Sequence, residues 1–180
     1  MKIQIPAAAL AAAVASWLAV GAVQASQSAI HEARSIEHAK VSITEAIRTA
    51  EKKGAGQAIS AEYVFKNGRA AFYEVKVLAN DGQKLTRYDL DPNTGDVKEA
   101  SNEQFEKVFT RIKPTSIRNA PTSLTRAIAT AEARAGGKAT AASVDRDGDQ
   151  VKYTVTIPKL DGTTEKIKIN GADGKVASAD

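Results

Sequence analysis

The two histidines, His31 and His38, stand seven residues apart, and each has a glutamate beside it. On a helix that spacing shares one face, which would suit two metal ligands. A zinc site needs three or four ligands, and the H-E-x-x-H signature fails because Ser35 stands where its second histidine would be. We therefore read both histidines as solvated. Asp145-Arg146-Asp147-Gly148-Asp149 opens like a calcium loop, but an EF-hand needs glycine at the sixth place and glutamate at the twelfth. Gln150 and Thr156 occupy those places, so an Asp-rich hairpin turn is expected instead. Asp89, Asp91 and Asn93 alternate in the same way, yet their twelfth place is Ala100 and their later counterparts are Lys168, Asn170 and Ala172. No metal or cofactor is implied.

Catalysis finds equally little to work with. The chain has no cysteine and no G-x-S-x-G elbow, and both histidines lie outside the patterned regions described below. Carboxylates are plentiful, but none stands out from turns and strand exteriors as an acid/base pair. No glycine-rich phosphate loop is present. Lysine and arginine number 25 against 21 acidic residues, with signs interspersed and no basic stripe threaded with aromatics, which argues against nucleic acid. The expectation is a protein that is not an enzyme.

The elements speak more clearly than the chemistry. Ser42 to Glu51, SITEAIRTAE, returns as Ser123 to Glu132, SLTRAIATAE, with seven of ten positions identical. Each copy places apolar residues at i, i+3, i+4 and i+7, one face of a helix: Ile43, Ala46, Ile47 and Ala50, then Leu124, Ala127, Ile128 and Ala131. Ser42 and Glu45 form a capping box with Val41 as the staple residue. Lys52, Lys53 and Gly54 are expected to close the first helix, with Gly54 at its C-cap, and Gly136-Gly137 the second.

Three strand-like runs follow the first helix. Ala58 to Phe65 leads through Asn67-Gly68, a hairpin turn, into Ala70 to Leu78. There Tyr73, Val75 and Val77 share one face, and Phe72, Glu74 and Lys76 the other. A turn at Asn80-Asp81-Gly82 precedes Leu85 to Leu90, with Tyr88 and Leu90 inward, and Thr94-Gly95 leads to a short strand at Val97. The second copy repeats the plan through Tyr153, Val155, Ile157, Asp161-Gly162, Ile167, Ile169, Gly174 and Val176. Between the copies, Ser101 and Gln104 suggest another capping box. Phe105, Val108, Phe109 and Ile112 suggest an amphipathic helix that Pro114 stops.

Residues 1–25 read as a signal peptide: Lys2 is followed by an uncharged, alanine-rich run, and Val23-Gln24-Ala25 offers a cut before Ser26. The protein is then exported, periplasmic or secreted, with no stable membrane insertion after cleavage. The division is residues 26–41 as a polar N-terminal tail, 42–100 as the first repeat, 101–121 as connecting helix and linker, and 122–180 as the second repeat. The fold class is α+β: two tandem repeats, each a helix packed on a small antiparallel sheet, joined by an amphipathic helix.

The order I-T-x-A-I-x-x-A (Ile43, Thr44, Ala46, Ile47, Ala50), Y-x-V-x-V (Tyr73, Val75, Val77), Asp81-Gly82, Tyr88-Asp89-Leu90 and T-G-x-V (Thr94, Gly95, Val97) resembles the PepSY domain. The second copy departs from it at Asp173 and Lys168. The resemblance implies an exported bacterial domain related to the propeptides of thermolysin-like metallopeptidases, with peptidase inhibition or regulation as its role and no catalytic residues. The expected partner is an exported peptidase or another envelope protein. The alternative is a structural or sensory envelope protein that binds a small ligand or a membrane partner. Because the outer faces diverge, Phe72, Glu74 and Lys76 of the first repeat are the candidate partner contacts. The second repeat is guarded by Lys152, Lys166 and Lys168.

Overall fold

The computed structural model describes residues 15–65, 71–79, 82–103, 113–147 and 150–180, with side chains from residue 26 onward except 146 and 147. The helices are α1 (Ala15–Glu37), α2 (Ile43–Gly54), α3 (Pro114–Arg118) and α4 (Leu124–Ala135). The strands are β1 (Gly56–Val64), β2 (Phe72–Ala79), β3 (Leu85–Leu90), β4 (Val97–Glu103), β5 (Ala141–Asp147), β6 (Gln150–Pro158), β7 (Thr164–Asn170) and β8 (Val176–Ala179).

The two repeats share one eight-stranded sheet, ordered β4-β3-β2-β1-β5-β6-β7-β8. Every adjacent pair is antiparallel. The repeats meet where β1 pairs β5, with Ser60 opposite Ser143, Ala61 opposite Ala142 and Glu62 opposite Ala141. Ala61 and Ala142 occupy the same place in their repeats, as do Ser60 and Ala141, and Glu62 and Ser143. A pseudo-twofold axis therefore passes between the two alanines. Both are buried, so the seam is core.

The apolar faces of α2 and α4 are buried at the expected residues, Ile43, Ala46, Ile47 and Ala50, then Leu124, Ala127, Ile128 and Ala131. Helix α2 lies on β1 to β3, and α4 chiefly on β5 to β7. Tyr73, Val75, Val77, Tyr153, Val155, Ile157, Ile167 and Ile169 meet them from the sheet as one core. Each large aliphatic side chain so buried contributes about 1.5–3 kcal/mol.

Three local expectations differ from the structure. Ser101 is not a helix cap but lies in β4, opposite Arg87, because β3 pairs its outer edge as far as Leu85 with Glu103. Phe105, Val108, Phe109 and Ile112 lie outside the described residues. Pro114, expected to stop the helix through those residues, opens α3, where its missing N–H is no loss. The linker there is anchored by buried Ile117. The N-terminal tail is helical through Glu37, with Ala29, Ala33 and Ile36 buried and both histidines exposed. Ser35 ties it to the sheet through a 2.7 Å bond between its hydroxyl and that of Tyr63.

The C-cap of α2 is the third difference. Ala55, not Gly54, takes the left-handed conformation, at φ 46°. Gly54 is helical, and its place excludes a side chain because a Cβ there would stand 2.8 Å from Val77 Cγ1. In the second repeat Gly136 holds the left-handed place, at φ 70°. Ala55→Gly should therefore stabilise the protein by up to about 1 kcal/mol, the relief of left-handed strain less the entropy glycine adds to the unfolded chain. A urea midpoint that falls in this variant would contradict that expectation.

Candidate functional site

Phe72, Glu74 and Lys76 lie on the face of β2 opposite Tyr73, Val75 and Val77. Phe72 is half-buried and stands across from Val64, with Phe65 one position beyond the end of β1 and 38% exposed. Below it, β2 to β4 bring charges into register: Glu74 faces Asp89, Lys76 faces Arg87, and Asp89 faces Glu99. Lys76 Nζ lies 2.9 Å from Glu103 and 3.7 Å from Glu74. Arg87 reaches Glu74 at 3.9 Å and Glu99 at 3.7 Å. Its Nε is 3.3 Å from Asp89 Oδ1, but too poorly aligned to hydrogen-bond, so both buried atoms lack a hydrogen-bond partner. Burial pushes the Asp89 carboxyl up; Arg87 opposes this, and the neighbouring carboxylates add to it. Such half-exposed pairs contribute up to about 1 kcal/mol each.

This half of the sheet is thus an acid-rich lattice flanked by aromatic rings. The corresponding half of the second repeat carries Thr154 opposite Lys168, Thr156 opposite Lys166, and Lys152 opposite Asn170. The two halves of one continuous face therefore differ in sign. Sequence reasoning missed Phe65 and the part played by Arg87, Glu99 and Glu103. Their convergence depends on register across three strands, which local spacing does not report.

Of the candidate cation ligands, Asp89 stands beside Arg87 and Asp91 is engaged within its own turn. Asp91 Oδ1 accepts from the Asn93 and Thr94 amides at 2.7 and 3.3 Å, and Oδ2 lies 2.6 Å from Lys98 Nζ. Among the described residues no group of three or more His, Asp or Glu stands close enough to hold a metal ion.

At each end of the helix pair lies a cleft, and the two are equivalent position for position. One, of about 180 Å³, is lined by Ile36, Ser42, Glu45, Tyr73, Glu132 and Lys138 among others. The other, of about 370 Å³, has Ile117, Ser123, Arg126, Tyr153, Glu51 and Gln57 in the same places. The frame is identical: Tyr73 donates to the Val41 carbonyl at 2.6 Å, and Tyr153 to the Thr122 carbonyl. Glu51 Oε1 accepts from the Ala58 amide and Glu132 Oε1 from the Ala139 amide, both at 2.9 Å. The shared helix motif thus ends in a structural glutamate. The equivalence of the two clefts reaches back to Ser35-Ile36 and Ser116-Ile117, with Ala39 matching Ala120, and those sparse identities were the available sequence signal.

Burial raises both phenols above the usual value near 10, Tyr153 to about 12. A raised folded-state value means the contribution to stability is complete below pH 10 and is lost as pH rises through 12. Chemical denaturation should therefore show stability falling from about pH 10 upward. Tyr153→Phe should lack its share of that fall. An unchanged alkaline slope in that variant would refute the assignment.

No curated protein matches the chain significantly. Among solved structures, a candidate lipoprotein from Clostridium difficile 630 is similar, at 21% identity and a TM-score of 0.48, covering 78% of this chain and 93% of its own. A likeness of that degree transfers no property. The PepSY family, described as peptidase propeptide and YPEB domain, matches residues 40–100 and 122–179. Those two matches cover more than half of the chain and coincide with the two halves of the sheet, and the chain belongs to the PepSY family.

Proposed function

We propose that this protein is a non-catalytic, exported binding module that contacts and inhibits or regulates an exported peptidase. The observation that carries the reading is the pair of PepSY matches, in a family named for peptidase propeptides. The absence of a catalytic motif from the sequence is in keeping with it. The export reading rests on the leader-like residues 1–25. Among the described residues no helix is long and apolar enough to cross a membrane.

The contact surface in this reading is the outer face of the first repeat. Phe72 supplies the apolar anchor, while Glu74 and Lys76 sit in a lattice whose excess of carboxylates suits a basic partner surface. Phe72→Ala should weaken binding by about 1–3 kcal/mol with the melting temperature unchanged. Lys152→Ala, on the second repeat, should alter little beyond salt dependence. Titration calorimetry against a thermolysin-like peptidase, with a melting curve for each variant, measures both. A Phe72→Ala variant that melts earlier yet binds normally would place the ring in the core and remove it from the site.

A second reading, an envelope protein that senses a small ligand, is favoured by the larger cleft.

A further inference from the structure

The two equivalent clefts differ in what they can hold. At about 370 Å³, the cleft at the start of α4 is in the size range of small-molecule sites, about 300–1,000 Å³, whereas its twin of about 180 Å³ is below it. In the twin, the Lys138 ammonium reaches across to the carbonyls of Ile36 and Glu37 at 3.5 and 3.4 Å. Gln57 stands in the place of Lys138 in the larger cleft, and Arg126 in the place of Glu45. One wall therefore carries an acid and the mouth carries a base.

We propose that this larger cleft binds a small zwitterion, namely a free dipeptide, with its ammonium group at Glu51 and its carboxylate at Arg126. Glu51 is half-buried and held by one oxygen on the Ala58 amide, so its carboxyl has acceptor capacity for a cation. Burial pushes that carboxyl up, which an incoming ammonium would reverse. Arg126 is exposed, in the first turn of α4, where no acidic side chain competes and the helix field favours an anion. Between the two charges the lining is more polar than apolar, with Gln57, Thr122 and Ser123 beside the buried Ile117, Leu124 and Tyr153, which suits the amide of a short peptide. Both charges and the peptide linkage between them are thus matched at once.

The inference does not rest on the peptidase reading, since it needs no protein partner. The test is titration calorimetry of the full chain with L-alanyl-L-alanine and with its N-acetylated and C-amidated forms. Binding of the free dipeptide is expected, with either cap weakening it about tenfold or more, the loss of one charge-assisted contact. Glu51→Gln, which keeps an acceptor for Ala58, and Arg126→Gln should weaken it similarly, whereas Glu132→Gln in the twin cleft should not. Amide shifts at Ala58 and Ser123 should locate the ligand. No binding at millimolar dipeptide, equal binding of the capped forms, or equal loss in Glu132→Gln would each overturn the proposal.

Discussion

Tyr73→Ala is expected to destabilise the protein by about 3–5 kcal/mol, the range for deleting a large buried aromatic side chain. Tyr73 is fully buried and its ring meets that of Tyr63 at 5.3 Å between centroids. Its hydroxyl also fixes the Val41 carbonyl, one residue before the α2 N-cap. The substitution thus opens a cavity in the core and frees the start of the helix that covers β1 to β3. Tyr73→Phe separates the two effects: it keeps the ring and should cost about 1–3 kcal/mol through the unpaired carbonyl. Melting and urea curves of both variants measure this. A Tyr73→Ala protein within about 1 kcal/mol of the parent would contradict the assigned packing.

Gly56→Ala should cost about 3 kcal/mol, the upper part of the range for overpacking. A Cβ at Gly56 would lie 2.0 Å from the Leu78 carbonyl oxygen and 2.7 Å from the Ala79 Cα. Both obstacles are backbone, and Gly56 pairs directly with Ala79, so β1 and β2 must separate at that end. Gly137, the equivalent residue, provides the comparison. There a Cβ would meet Ile157 Cγ2 at 3.0 Å, a side-chain atom able to yield. Gly137→Ala should therefore cost about 1 kcal/mol, the lower end of the same range. Equal urea midpoints for the two variants would show that this backbone contact does not set the register.

The elements with a strong period were legible from residue spacing alone: both amphipathic helices, the inward Tyr73 and Tyr153, and the strands around them. Each is specified by residues a few positions apart, acting on one element. The seam between Ala61 and Ala142 was not legible, because pairing between strands from different repeats leaves no local periodicity. Ser101 misled for a related reason. Its S-x-x-Q spacing is a genuine local capping signal, but the unpaired edge of β3 recruits the same residues into β4. Gly54 misled because it serves packing and not capping: Val77 and Tyr88 leave no room for a Cβ there, a tertiary demand that local spacing does not report, and Ala55 takes the left-handed place. At the candidate site, Phe72, Glu74 and Lys76 could be placed on one face from alternation alone. That Lys76 and Arg87 are tied to carboxylates of three strands required the register.

The central claim, that this PepSY protein binds an exported peptidase without catalysis of its own, is tested most directly by one titration. Thermolysin-like peptidase activity is followed as the protein is added to high molar excess, with calorimetry on the same mixtures. The account predicts a saturable complex that changes peptidase activity and is weakened by Phe72→Ala. Unchanged activity and no heat of binding at high excess would contradict it.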